Sequence, residues 1–131
     1  MSSLRNDMFP HRKLRTWELA IELAKAVYKA TEMFPGDEKF GMTAQLRRAG
    51  VSVASNIAEG AGRSSDQQYV RYLYMARGSL SEIDTQVELA SELGYVKTAG
   101  RDYLDERIAA VSKKLNGLIK RINTDIERRK S

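Results

Sequence analysis

The 131-residue chain contains no cysteine, a single histidine, His11, and only two prolines, Pro10 and Pro35. The lack of cysteine excludes a disulfide scaffold, a thiolate zinc site and a cysteine nucleophile. A di-iron carboxylate site is excluded as well, because it needs Glu-x-x-His pairs on two helices. We therefore expect no catalytic residue, no metal site and no cofactor, and we predict that the protein is not an enzyme.

Long uncharged segments are also missing. The longest one in the middle of the chain, residues 49–58, is too short to span a bilayer. The N-terminal sequence MSSLRNDMFPHRK has no apolar region of the kind found in signal peptides. A cytoplasmic protein is therefore expected, and the chain length fits one domain that can fold without cross-links.

Helical periodicity dominates what is present. Apolar residues recur at steps of three and four, and no segment alternates convincingly with period two. The predicted helices are residues 14–33, 42–61, 64–93 and a fourth from Thr98 onward. The predicted apolar seam of the third helix is Tyr69, Leu73, Ala76, Leu80, Ile83, Val87 and Ala90, and that of the fourth is Leu104, Ile108, Val111, Leu115, Leu118 and Ile122. Because the connections are short, we predict an all-α, antiparallel up-down-up-down four-helix bundle. The predicted divisions are a flexible N-terminal arm at 1–12, the bundle at 13–127 and a basic C-terminal tail at 128–131.

The first predicted helix carries two apolar stripes instead of one. The first comprises Trp17, Ala20, Ile21, Ala24, Val27, Tyr28 and Thr31, and the second comprises Leu19, Leu23, Ala26 and Ala30. One core needs only one stripe, so the second favours burial against another molecule. We therefore predict a homo-oligomer.

The second predicted helix contains the segment LRRAGVSVASNIAEGAGR, residues 46–63. Its polar stripe consists of Arg48, Ser52, Ser55 and Glu59, with Asn56 beside it. Short polar side chains suit a contact between surfaces, whereas a solvent face usually carries longer Lys and Glu side chains. An ordinary solvent face stays the alternative.

Glycines in the same region predict close packing. Gly50 costs about 1 kcal/mol of helix propensity relative to alanine, which a close helix approach could offset. Gly78 on the third helix is the candidate partner, and Gly60 is expected to help end the second helix. The sequence GAGRSS at 60–65 resembles a phosphate loop only weakly, because no strand precedes it and no Gly-Lys-Ser/Thr follows.

Residues 45–63, QLRRAGVSVASNIAEGAGR, resemble the signature of the 23S rRNA intervening-sequence protein family. Further matching pieces are FGMT at 40–43, LRTW at 14–17, MFP at 33–35, GSLSEI at 78–83 and LGY at 93–95. The resemblance covers about residues 12 to 125. One departure is Ala54, where family members often have proline, and this change should leave the helix straighter.

This resemblance implies a four-helix bundle of the bacterial cytoplasm that forms a ring of five subunits. Some members are encoded inside intervening sequences of large ribosomal RNA genes. The family is also similar in fold to the pentameric accessory protein of diversity-generating retroelements, which partners a reverse transcriptase and nucleic acid. No biochemical activity follows from the resemblance. The signature residues expected in packing or assembly are Arg48, Ser52, Ser55, Asn56, Glu59 and Gly60.

The charge is polarised along the predicted bundle. The chain has 22 basic and 17 acidic residues, a net charge of +5. One end of an up-down bundle would gather 12 basic and 6 acidic residues, or +6, and the other end 10 and 11, or −1. The candidate nucleic-acid-binding residues at the basic end are Arg63, Arg71, Lys120, Arg121, Arg128 and Arg129. Arg47 and Arg48 begin the second helix at the opposite end and are not expected to bind.

Two functions follow from these patterns. The first is a nucleic-acid-binding oligomer, with RNA as the favoured partner. Because no arrangement of aromatic residues suggests base stacking, its binding is expected to be sequence-tolerant or directed by shape. The alternative is a scaffold ring that docks a protein partner, whose identity the sequence does not indicate, without contacting nucleic acid. No membrane partner is expected.

Overall fold

The computed structural model describes residues 2–130, and their side chains from Leu4 onward. Five α-helices follow one another in this part of the chain: α1 Ser2–Met8, α2 Arg15–Thr31, α3 Met42–Ala61, α4 Asp66–Glu92 and α5 Thr98–Lys130. Short 3-10 turns at Pro10–Lys13 and Gly36–Glu38 precede α2 and α3. Residues 2–130 contain no strand, so the predicted all-α class is confirmed.

The four predicted helices correspond to α2–α5, and the structure adds α1. Residues 2–8 of the predicted arm are helical, and Arg128, Arg129 and Lys130 form the last turn of α5. The boundary between 127 and 128 therefore does not mark the end of a helix. Met1 and Ser131, which the predicted arm and tail include, lie outside the described residues. The division into arm, bundle and tail stays a prediction.

Both ends of α4 are set by local sequence. The Ser65 side chain accepts a hydrogen bond from the Gln68 backbone N–H at 3.2 Å, which caps the N-terminus of the helix. At the other end Gly94 adopts a φ of 81°, a left-handed conformation that glycine enters without steric cost. The Tyr95 N–H then donates to the Ala90 carbonyl at 2.8 Å, as in a Schellman motif.

The N-terminus of α3 is capped from outside the helix. A carboxylate oxygen of Glu38 accepts a hydrogen bond from the Met42 backbone N–H at 3.1 Å. The second oxygen accepts one from the Tyr95 hydroxyl at 3.0 Å, and this bond raises the pKa of Tyr95. Tyr95 also packs on Phe34, with ring centroids 5.4 Å apart. The α2–α3 and α4–α5 connections are thereby joined to the start of α3, at the end of the molecule opposite the basic end.

Helices α2–α5 contact one another in a closed cycle. Helix α2 packs against α3 and α5, and α4 packs against the same two helices. The residue pairs that show the helix directions are Gln45–Gln86 and Ser52–Ser79 between α3 and α4, and Glu88–Arg101 and Tyr74–Asn123 between α4 and α5. In each case residue numbers rise along one helix and fall along the other, so these neighbours are antiparallel.

The apolar seams predicted on the last two helices form the core. The buried seam residues are Leu73, Ala76, Leu80, Ile83, Val87 and Ala90 on α4, and Leu104, Val111, Leu115, Leu118 and Ile122 on α5. Tyr69 and Ile108, the other predicted seam positions, are half-buried against them.

The second stripe of α2 also faces this core, which corrects the prediction that it is available for assembly. Leu23 and Ala26 are buried, while Ile21 and Tyr28 from the first stripe are exposed. The reason is that α2 packs against two neighbouring helices, so parts of both stripes are needed inside one molecule.

The predicted pairing of Gly50 with Gly78 is wrong. A Cβ added to Gly50 would lie 3.5 Å from the Ala24 Cα, so this glycine packs against α2. A Cβ added to Gly78 would meet nothing within 4 Å. The close packing predicted at Gly78 is therefore not found in the structure. The tight approach lies elsewhere, at Gly60, where a Cβ would be 3.0 Å from atoms of Tyr69 and Tyr72.

Candidate nucleic-acid interface

The signature of α3 divides between two faces of the helix. Ser52, Asn56 and Gly60 follow one another at steps of four and lie towards α4. The hydroxyls of Ser52 and Ser79 are 2.9 Å apart, and the Asn56 amide donates to the Ser52 carbonyl and hydroxyl at 2.9 and 3.0 Å. Gly60 completes this contact by approaching Tyr69 closely. Half of the six signature residues therefore serve packing within the chain.

The other signature residues are more exposed. Ser55 and Glu59 line a cavity of about 600 Å³ together with Arg63 and the segment at residues 9–11. Glu59 accepts a hydrogen bond from Arg63 at 2.9 Å. Arg48 is exposed at the other end of the helix. The predicted polar stripe is therefore not one continuous outer surface, because α4 and the N-terminal segment cover different parts of it.

Aromatic contacts hold the N-terminal segment beside this cavity. The His11 ring lies 5.6 Å from that of Phe9 and 4.8 Å from that of Trp17, between centroids. The Arg12 guanidinium lies 5.3 Å from the Trp17 ring centroid. Burial lowers the pKa of His11, and the nearby positive charge of Arg12 lowers the pKa further. The neutral imidazole is therefore the form that the folded segment favours.

We expect His11 to titrate below the usual range of histidine. Folding lowers the pKa of His11, so the packed neutral imidazole stabilises the folded protein above the ordinary histidine pKa. This stabilisation is lost as the pH falls through the pKa that His11 has in the folded protein. Proton NMR between about pH 8 and pH 5 measures the titration directly, since the chain has one histidine. In Arg12→Gln the midpoint should rise towards that of a free peptide. A parent midpoint at or above the peptide value would contradict the packed position of His11.

Three helix ends converge at the predicted basic end. Arg129 in the last turn of α5 pairs with Asp66 in the first turn of α4. Arg121 lies close enough to Tyr69 for its charge to lower that pKa, although burial dominates and raises the pKa overall. Tyr69 in turn packs on Gly60 near the end of α3. The end of α3, the start of α4 and the end of α5 are therefore neighbours.

The six basic candidates at this end differ in how they are engaged. Arg63 donates to Glu59 and, at 2.8 Å, to the Tyr72 hydroxyl, and Arg129 is paired with Asp66. The exposed side chains Arg71, Lys120 and Arg121 make no ion pair or side-chain hydrogen bond with another residue among 2–130. Arg128 is exposed in the last turn of α5. Arg47 lies at the other end and donates to the Thr31 hydroxyl at 2.8 Å.

A groove between α4 and α5, here called the Tyr74 groove, was missed by sequence reasoning. Its volume is about 530 Å³, and its lining includes Tyr74, Arg77, Asn116, Lys120 and Asn123. The Arg77 guanidinium lies 5.0 Å from the centroid of the exposed Tyr74 ring. From the sequence we expected no arrangement of aromatic residues suited to base stacking, and that expectation overlooked the pair of Tyr74 and Arg77 in this groove. Within each helix the spacing is visible in the sequence, since Tyr74 and Arg77 are three residues apart and Asn116 and Asn123 are seven apart. Only the contact between α4 and α5 brings the two pairs together.

The described surface offers little for catalysis. No three histidine, aspartate or glutamate side chains within residues 2–130 form a group that could hold a metal ion. On α4 and α5, Arg101 bonds Glu88 at 2.6 Å and Asp105 at 3.1 Å, so these carboxylates are engaged in ion pairs. No helix in this part of the chain combines the length and hydrophobicity needed to cross a bilayer.

The sequence profile of the family described as "23S rRNA-intervening sequence protein" matches residues 12–117. The chain belongs to this family. Because the family match ends at residue 117, the basic candidates Lys120, Arg121, Arg128 and Arg129 lie beyond it. They are properties of this chain that the match does not cover.

The fold is similar to that of a protein with unknown function from the S23 ribosomal protein family of Bacteroides thetaiotaomicron. The TM-score is 0.74 and the sequence identity is 22%, with 80% of this chain and 95% of that chain covered. At this identity the likeness shows the fold alone. Among curated proteins, none matches this sequence.

Proposed function

We propose that this member of the 23S rRNA-intervening sequence protein family is a non-enzymatic nucleic-acid-binding protein, with RNA as the favoured ligand. In this proposal it is an up-down-up-down four-helix bundle that assembles as a homo-oligomer, a ring of five subunits as the family resemblance implies. The observation that carries the proposal is the group of exposed cations Arg71, Lys120 and Arg121, which have no acidic partner within residues 2–130. Their charges are available to phosphates.

The proposed contacts are electrostatic and do not depend on sequence. The full set is Arg63, Arg71, Lys120, Arg121, Arg128 and Arg129. Arg63 and Arg129 already pair with carboxylates, so their contacts would replace existing ion pairs and contribute less. Repetition of a modest basic patch around a ring raises its affinity for a long polyanion through avidity.

Salt titration of RNA binding tests this proposal. Fluorescently labelled single-stranded and hairpin RNAs are added to the full chain at salt concentrations from about 50 to 300 mM. We expect the logarithm of the association constant to fall linearly with the logarithm of salt concentration, by roughly 0.7 to 0.9 per phosphate contact. Absence of binding to both RNAs at the lowest salt concentration would overturn the proposal.

An exposed apolar surface supports the homo-oligomer, which both the nucleic-acid-binding function and the alternative, a protein-docking scaffold, require. Ile21 and Tyr28 on α2 and Val51 on α3 are all exposed, and they line a groove of about 820 Å³ with Lys25 and Glu32. In the oligomer this surface, here called the α2–α3 face, would pack against another subunit. In the scaffold alternative the assembled ring docks a protein and does not contact nucleic acid.

Charged substitutions on the α2–α3 face are expected to disrupt the oligomer. In Ile21→Lys with Val51→Lys, two cations would be buried at each subunit contact, which costs several kcal/mol unless they are paired. Light scattering coupled to size exclusion should then give the monomer mass. The matched control is Met75→Lys with Leu89→Lys, which changes two exposed apolar residues of α4. A monomeric parent protein, or equal effects of both double variants, would contradict the proposed interface.

A further inference from the structure

We infer that the Tyr74 groove binds an unpaired base of a single-stranded nucleic acid, with Tyr74 and Arg77 as the stacking platform. This inference rests on the proposed function and adds to it. Phosphate contacts at the basic end would hold the strand, while the groove would recognise that the strand has a free base. The ligand class is therefore single-stranded RNA or DNA instead of a duplex.

The platform is held in place by helix α5. The Asn123 side-chain amide donates to the Tyr74 hydroxyl at 3.0 Å. The Arg77 guanidinium lies 5.0 Å from the Tyr74 ring centroid and donates to the Asn116 side-chain oxygen at 3.1 Å. Both members of the stack are thus oriented before any ligand arrives. A pre-oriented side chain loses less conformational entropy when it binds.

The surrounding groups suit a nucleotide. Lys120 lies between Asn116 and Asn123 in sequence, lines the same groove and can meet a phosphate. The carboxylate in the described lining belongs to Glu127, and it pairs with Lys130 at 3.5 Å. Asn side chains offer both donors and acceptors to base edges, while aromatic rings stack on any base.

The lining favours nucleic acid over a protein segment. Protein partners that insert into grooves do so mainly with apolar anchors, which need an apolar lining. In the described part of this groove, Ile119 is the aliphatic hydrophobic residue and it is itself buried, whereas the other lining side chains end in cationic, amide or hydroxyl groups or, at Glu127, in a carboxylate. A partly exposed aromatic ring beside a lysine is the combination used by proteins that bind single strands.

Tyr103 on α5 provides a matched control. The residue is 45% exposed, against 42% for Tyr74, and the guanidinium of Arg107 lies 3.7 Å from the centroid of its ring. It lies beside the groove that contains Ile21 and Glu32, away from Lys120. The two tyrosines therefore share exposure and a stacked arginine but differ in their surroundings.

The test compares two probes of equal charge, a 12-nucleotide oligouridylate and a 12-unit ribose-phosphate oligomer without bases. We expect the parent protein to bind the oligouridylate roughly 5- to 100-fold more tightly, since one stacked base contributes about this factor. Tyr74→Ala should lose most of this preference and keep the affinity and salt slope for the abasic probe. Tyr74→Phe should retain the preference. Tyr103→Ala should retain it too, because a change in assembly at the α2–α3 face would alter the binding of both probes alike.

A crosslinking measurement on the unmodified protein covers the case in which Tyr74→Ala does not fold. Oligomers containing 4-thiouridine should crosslink to the tryptic peptide 72–77, which ends at Arg77. Equal binding of both probes by the parent, or crosslinks confined to other peptides, would overturn the inference and leave the proposed function standing. Failure of both probes to bind would instead overturn the proposed function and would favour the alternative, a scaffold that docks a protein partner.

Discussion

A protein in which Arg71 and Arg121 are both replaced by glutamate is expected to bind RNA about 25- to 60-fold more weakly than the parent at roughly 0.1 M salt. Both guanidinium groups are exposed and make no ion pair within residues 2–130, so their charges are free to contact phosphates. Each lost contact lowers the salt slope by about 0.7 to 0.9 and the affinity by a little less than tenfold at this salt concentration. Fluorescence anisotropy with labelled RNA measures both quantities.

The control for this variant reverses two lysines at the opposite end of the molecule. Lys39 follows the turn that caps α3, and Lys97 precedes α5. Since each reversal changes the charge by two, both double variants lower the formal net charge from +5 to +1. An equal loss in Lys39→Glu with Lys97→Glu would show that only net charge matters. Full RNA binding by the Arg71 and Arg121 variant would make the protein-docking scaffold the better description.

Replacement of Gly60 by alanine is expected to lower the free energy of unfolding by up to about 2 kcal/mol, because overpacking costs about 1–3 kcal/mol and the better helix propensity of alanine offsets about 1 kcal/mol of this cost. A Cβ at this position would lie 3.0 Å from the Tyr69 ring, the Tyr69 carbonyl and the Tyr72 Cβ. A backbone oxygen cannot move aside as a flexible side chain can, so α3 and α4 would have to separate. Denaturant unfolding at one fixed protein concentration measures the change, because assembly shifts apparent stability.

The same substitution at Gly78 should have the opposite sign. This residue lies inside α4 with nothing within 4 Å of an added Cβ. Alanine there should stabilise the helix by up to about 1 kcal/mol through its better helix propensity. Comparison of the two alanine substitutions separates the effect of packing between helices from the effect of helix propensity. A stabilising effect of Gly60→Ala would contradict the close contact between α3 and α4.

Much of the fold follows from sequence because the responsible interactions are local. The limits of α3 agree with the prediction, and α4, Asp66–Glu92, lies within the predicted range 64–93, between the cap at Ser65 and the left-handed Gly94. The core seams of α4 and α5 are also predicted, since side chains three and four residues apart share a helix face. The family follows from the segment at 45–63, and the match over residues 12–117 confirms it.

The candidate site could be predicted only in part. The sequence places Arg71, Lys120 and Arg121 at one end once the helices alternate in direction. It does not indicate which of the basic residues are paired, because the ion pair of Arg129 with Asp66 joins residues far apart in the chain. Nor does it reveal the platform of Tyr74, whose hydroxyl partner lies on another helix.

The sequence by itself determined where the four long helices α2–α5 lie and which faces of α4 and α5 are apolar, whereas α1 falls in a segment predicted to be a flexible arm. The tertiary structure alone decided which glycine allows close packing, which α2 residues stay exposed and which side chains meet across α4 and α5. Gly50 and Gly60 look alike as small residues of one helix, yet one contacts α2 and the other α4. The physical reason is that helix periodicity defines faces within about a turn, whereas the rotation and register between neighbouring helices depend on all their side chains packing together.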